Sequence, residues 1–112
     1  MGKWNLKQRL EKVFLNNAEV ESDSELYEAG AYVEFKSDGN VLWNEDNSDP
    51  EEFIYKVEGN KLTITAEEAD EFEIQTLTDS KLIISSAYSY TEEESGQPVR
   101  TFKGTAVTTL ER

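Results

Sequence analysis

The chain is 112 residues long and carries 24 Asp and Glu against 11 Lys and Arg, a formal charge of −13. It contains no Cys and no His, which excludes disulfides, thiolate and imidazole catalysis, histidine-ligated haem and zinc sites built from those side chains. The negative charge opposes phosphate backbones and anionic lipid surfaces, so neither nucleic acid nor a membrane surface is an expected partner.

Apolar–polar alternation is the leading pattern along the chain. Trp4 and Leu6 alternate with polar neighbours, whereas Leu6, Leu10, Val13 and Phe14 also fit helical spacing. Residues 4–14 read as a strand carrying a bulge, with a part-helix as the alternative. An irregular acidic connection is expected over 16–28. Val33 and Phe35 mark a strand at 30–36, and Val41 and Trp43 one at 41–43. Ser37-Asp38-Gly39-Asn40 turns between them, because Gly and Asn tolerate positive φ. A second long connection, 44–52, leads to Phe53, Tyr55 and Val57 on a strand at 53–57. Glu58-Gly59-Asn60 then turns the chain into 61–65, with Leu62 and Ile64 on one face. After 66–71, Phe72 and Ile74 lie on a strand at 72–77, joined through Thr78-Asp79-Ser80 to 81–90, where Leu82, Ile84, Tyr88 and Tyr90 share a parity. Residues 91–98 lead to a last strand at 99–110, with Phe102, Ala106 and Leu110 on one face. At most one short helix is expected, near 16–28 or within the first strand.

Such alternation means that one face meets a core and the other meets water, the mark of antiparallel pairing. Eight strands joined alternately by long and short connections close most simply as an all-β, eight-stranded antiparallel up-and-down barrel, read as a single domain over 1–112. No apolar run approaches the roughly 18 residues of a membrane span. Met1 is followed at once by strand-like residues, which predicts a mature domain from which an export segment has been removed.

Gly2-Lys3-Trp4 resembles the Gly-x-Trp that opens the first strand of lipocalin barrels. Phe35-Lys36-Ser37-Asp38-Gly39, the run Val57-Glu58-Gly59-Asn60-Lys61-Leu62-Thr63-Ile64-Thr65, and the run from Phe72 to Leu82 are similar to small bacterial lipocalin-like domains of the calycin superfamily. The resemblance covers most of the chain and rests on the order of these pieces. It implies an eight-stranded barrel with a ligand cup and an extracytoplasmic setting, periplasmic or as a cell-surface lipoprotein. Against the larger lipocalins, this chain is short and has no C-terminal helix. The resemblance also implies a first-strand Trp paired with a last-strand Arg at the closed end. The up-and-down topology places Trp4 and Arg112 together there, as a feature of stability.

In this topology all four long connections emerge at one end. They hold seventeen of the 24 acids and no Lys or Arg, whereas the short turns place Asp38, Glu58 and Asp79 near Lys36, Lys61 and Lys81. Such a field attracts cations and disfavours free fatty acids at the mouth; solubility is the competing explanation. Asn44, Asp46, Ser48, Asp49, Glu51 and Glu52 offer oxygens suited to Ca²⁺, but no Gly occupies the sixth position and Pro50 interrupts the loop, so neither a metal nor another cofactor is expected. Carboxylate pairs arise by chance among so many acids, and no enzymatic activity is expected.

Inward parity assigns the core to Trp4, Leu6, Val33, Phe35, Val41, Val57, Leu62, Ile64, Phe72, Ile74, Leu77, Leu82, Ile84, Ala106 and Leu110. In the open half, the candidate ligand-binding residues are Trp43, Phe53, Tyr55, Tyr88, Tyr90 and Phe102. The expected function is a lipocalin-like binding module for a small apolar or amphiphilic molecule, neutral or cationic. The alternative is an acidic-rimmed interaction or inhibitor domain whose filled barrel docks a basic protein surface.

Overall fold

The computed structural model describes residues 2–16, 18–45 and 49–112, and every regular element among them is a strand. In chain order these are β1 (Gly2–Leu15), β2 (Ala18–Leu26), β3 (Tyr32–Phe35), β4 (Asn40–Asn44), β5 (Glu51–Glu58), β6 (Lys61–Thr65), β7 (Ala69–Leu77), β8 (Lys81–Glu92) and β9 (Arg100–Glu111). Antiparallel pairing runs β1-β3-β4-β5-β6-β7-β8-β9, and β9 returns to β1. The result is the closed eight-stranded barrel that the alternation predicts.

The closed half is packed solid. Trp4, Val33, Val41, Leu62, Leu82, Ile84 and Leu110 are fully buried, with Leu6, Phe35 and Ala31 beside them. Tyr55 adds an edge-to-face contact on Phe35 at 5.0 Å and donates its hydroxyl to the Lys36 carbonyl at 2.6 Å. Val57 and Leu77 depart from the expected core: they are 40% and 51% exposed, because they lie beside the hairpin turns where the inner face opens to water. Turn chemistry is as the sequence predicts. Gly39 adopts a φ of 89° between β3 and β4, and Thr78 Oγ1 accepts from the Ser80 and Lys81 amides at 3.3 and 3.0 Å.

At this end the Arg112 guanidinium lies 4.0 Å from the centre of the Trp4 ring. Arg112 Nε donates to the Asp79 carbonyl at 2.9 Å, and its backbone N–H to Ser80 O at 3.0 Å. The last strand is thereby fixed beneath the first.

Two departures from the sequence reading shape the open half. Residues 18–26 are not an irregular connection but strand β2, paired with Gln8–Leu15 of β1. All nine of its residues are exposed, so neither face imposes an apolar period, and pairing with β1 alone makes it a strand. The second departure is a switch of faces in β1. Leu6 stands opposite Leu110 but Gln8 opposite Thr109, leaving Lys7 as the extra residue of a bulge. Below it Trp4 and Leu6 face inward. Above it Arg9, Glu11 and Val13 take that face, opposite Thr108, Ala106 and Gly104. The bulge is also where β1 changes partner from β3 to β2. The Leu6 N–H donates to Ala31 O at 3.0 Å, and the Tyr27 N–H to Lys7 O at 3.1 Å.

Because β1, β8 and β9 have 14, 12 and 12 residues while β4 and β6 have five, one side of the barrel is much taller. There β2, β1, β9 and β8 continue above the mouth as a four-stranded wall, and the molecule extends 52 × 28 × 26 Å.

Candidate functional site: an acidic cup at the barrel mouth

The low side of the mouth holds a cavity of about 380 Å³, lined by Trp43, Phe53, Ile64 and Phe72 and by Glu45, Asp49, Glu51 and Asp70. Strand register puts these residues together. Trp43 stands opposite Glu51 and the buried Val41 opposite Phe53. Leu62 stands opposite Phe72, and Ile64 opposite Asp70. Each opposed pair shares a face, so β4 to β7 present one inward row of apolar side chains, with carboxylates above it. The cavity volume lies in the lower part of the range of small-molecule sites.

The electrostatics of the cup are one-sided. Among the described residues, four of its eight lining side chains are carboxylates and none is Lys or Arg. Trp43 Nε1–H donates to Glu45 Oε1 at 2.9 Å, which holds one carboxylate at the edge of the indole. Half-buried Tyr27, packed against the core beside the mouth, registers the same field. Burial first, then the Glu45 and Glu25 carboxylates, push its hydroxyl up to about 12 against a smaller opposing effect of Arg9. Aromatic faces draw cations, and carboxylates beside them act in the same direction.

Of the candidate binding residues, Trp43 and Phe53 line this cavity. Tyr55 sits lower, in the packed half against Phe35. Tyr88, Tyr90 and Phe102 stand on the wall, on the same inward parity but apart from the cavity lining. Their rings stack on one another: Tyr88 with Tyr90 at 6.2 Å and 12°, and Tyr90 with Phe102 at 5.0 Å and 14°. Arg100 caps the series 5.8 Å from the Phe102 centre. Tyr88 covers the backbone of Gly104, whose missing side chain leaves room for the ring. These contacts staple β8 to β9 where, among the described residues, no second layer covers them. Ile64, Phe72 and the acids Glu45, Asp49, Glu51 and Asp70 are the cup residues absent from the sequence-based set. Parity marked Ile64 and Phe72 as inward; what it lacked was the unequal height of the strands.

The expected acidic rim is divided by the fold. Glu45, Asp49, Glu51 and Asp70 ring the cup, while Glu19, Glu21, Asp23 and Glu25 lie along β2. Of the oxygens considered for Ca²⁺, Asp46 and Ser48 lie outside the described residues. Among the described residues no group of acidic side chains has the disposition of a metal site.

Comparison with protein families finds one described as a lipocalin-like domain, whose model matches residues 1–84. That span runs from β1 to the lower part of β8. Comparisons with curated proteins and with solved structures give no match.

Proposed function

Since the chain belongs to the lipocalin-like domain family, we propose that it is a binding protein and not a catalyst, and that its cup takes a small amphiphile, neutral or cationic, with cations preferred. One observation carries the reading: a cavity with three aromatic walls, which among the described residues is ringed by four carboxylates and lined by no basic group. A carboxylate-headed lipid would bring a further negative charge to that ring, whereas an ammonium head gains from both the ring quadrupoles and the acids. Trp43, Phe53 and Phe72 hold the apolar part in this reading, and Glu45, Glu51 and Asp70 face the head. Lipocalin-like domains are often extracytoplasmic, and the same reading places this one there.

Three probes with one tail test it: decyltrimethylammonium, a neutral decyl glycoside and decanoate, followed by Trp fluorescence and calorimetry. The expected order of affinity is cationic, neutral, anionic, with about a tenfold gap between the first and last at low ionic strength. Salt narrows the gap, because exposed charges are screened over about 8–10 Å. Asp70→Asn lowers affinity for the cationic probe alone, and Trp43→Ala lowers it for all three. Decanoate bound as tightly as the ammonium at low salt refutes the charge preference; no binding of any probe refutes the cup.

A further inference from the structure

The wall has two free edges, and they differ in chemistry. On one side, among the described residues, β2 pairs with β1 only. Its exposed edge carries Glu19, Glu21, Asp23 and Glu25 within nine residues, and its register with β1 shifts beside Val20. Charges and bulges of this kind keep an edge from recruiting another strand. The other edge belongs to β8. Pairing between β7 and β8 stops at Glu73 opposite Ser85, yet β8 continues to Glu92 in register with β9. From Ser86 to Thr91 the sequence is Ser-Ala-Tyr-Ser-Tyr-Thr: six uncharged residues without Pro or Gly, three of them aromatic or β-branched. Among the described residues, no strand pairs with this stretch on the β7 side. It lacks each of the devices that protect β2.

Beside it the barrel wall is open. A groove of about 770 Å³ crosses the lower end of this opening, from Lys61 of β6 over Glu71, Phe72 and Glu73 of β7 and Ser86 and Ala87 of β8 to Thr105 and Val107 of β9. We propose that the free edge of β8 from Ser86 to Thr91, whose first two residues line this groove, is a strand-acceptor site that takes up an extended basic segment of a partner protein as an added strand. Alternate backbone N–H and C=O groups of an edge strand point away from its existing partner, and a strand seated against that edge satisfies them. One face of that strand would lie beside Tyr88 and Tyr90, favouring flat or β-branched side chains; its other face would meet the small Ala87 and Ser89.

Charge selects the partner. Glu71 and Glu73 flank the lower end and Glu92, Glu93 and Glu94 the upper, against Lys61, held by Glu71 at 2.8 Å, and Arg100, held by Glu92 at 3.2 Å. Both ends therefore keep surplus negative charge. A second copy of this chain, itself at −13, would bring Glu92–Glu94 against those acids, so a basic segment fits and self-association does not. This site is separate from the cup, although Phe72 lines both cavities.

The test uses the full chain and a synthetic peptide of six alternating Thr and Val residues with two Lys at each end. Two control peptides carry N-methyl groups on alternate residues or Glu in place of Lys. Backbone amide shifts are followed by NMR, with hydrogen exchange of β8 as a second readout. Saturable shifts centred on Ser86–Thr91, slowed exchange there, at least tenfold weaker binding of the N-methylated peptide and weaker binding of the Glu-ended peptide are expected. Ser89→Pro should weaken binding at least tenfold while the Trp4 fluorescence environment and the cup's affinity for decyltrimethylammonium stay unchanged. The proposal is overturned by absence of binding, by equal binding of the N-methylated peptide, by shifts mapping to β2, or by sedimentation showing that β8 instead pairs two copies of the chain.

Discussion

Arg112→Met is the sharpest test of how the barrel is closed. Met keeps a flexible aliphatic stem of similar reach but removes the guanidinium lying 4.0 Å from the Trp4 centre and its hydrogen bond to Asp79 O at 2.9 Å. A cation over a buried indole contributes about 1–2 kcal/mol, and an exposed hydrogen bond from a charged donor adds about 0.5–1 kcal/mol, so the expected loss is about 2 kcal/mol. An unfolding entropy near 2.1 cal/mol/K per residue gives roughly 0.24 kcal/mol per degree for a chain of this length, and hence a fall in Tm of about 8 °C. Calorimetry at two salt concentrations measures it. Lys at the same position keeps the charge but not the planar stacking surface or the Nε donor, and should recover less than half of the loss. In a Trp4→Phe background the cost of Arg112→Met should shrink, since the weaker ring quadrupole leaves less to lose. A shift under about 2 °C for Arg112→Met would falsify the closure argument, because that is the cost of altering an ordinary frayed end.

Trp43→Ala should cost less than about 2 kcal/mol in denaturant unfolding while removing cup affinity, whereas Trp4→Ala, at a fully buried position, should cost about 3–5 kcal/mol. Equal losses would show that the mouth is packed as tightly as the base. Tyr27 should resist ionisation until about pH 12 in the folded protein, observed as phenolate absorbance. Its hydroxyl is raised above the unfolded value near 10, so its contribution to stability is complete below pH 10 and is lost as pH rises towards 12. Tyr27→Phe should therefore flatten the decline in stability over that window and leave neutral pH little affected. In Gly104→Ala the new methyl group overlaps the Tyr88 ring. Because Tyr88 is 40% exposed and its ring can swing aside, the cost should be only about 1 kcal/mol and should vanish in a Tyr88→Ala background; a double-mutant cycle without coupling would refute the contact.

The barrel was legible because seven segments alternate cleanly and their turns carry Gly, Asn or Asp where the chain reverses. The same topology was enough to bring Trp4 and Arg112 together. β2 was not legible: Glu19, Glu21, Asp23 and Glu25 alternate with Val20, Ser22, Ser24 and Leu26, and a strand wet on both faces has no apolar period to display. The face switch at Lys7 was half legible. The mixed spacing of Leu6, Leu10, Val13 and Phe14 signalled a bulge, and the structure shows why: Leu6 and Val13 face inward on either side of it, while Leu10 and Phe14 face out. In the open half, parity indicated which aromatics point inward but not their height. Trp43 and Phe53 fell in the cup, whereas Tyr88, Tyr90 and Phe102 rose above it, because strand length depends on pairing partners that the local pattern does not record.

The seam between β1 and β9 has a kinetic consequence. Every other pairing of the barrel joins strands adjacent in the chain or separated by β2 alone, but this one brings Asn5 to Glu111. Loop closure over such a span is entropically costly and slows folding. The hairpins can form early as an open, curling sheet, which stays unclosed until β9 reaches β1. Until then Leu6 and Leu110 stand on two unjoined margins and the apolar lining is bare, a state prone to associate with its own kind. Refolding yield should therefore fall with protein concentration even though the finished barrel, at −13, repels its neighbours. Amides along the β1–β9 seam should exchange only on global unfolding, while those of β2 exchange freely from the native state.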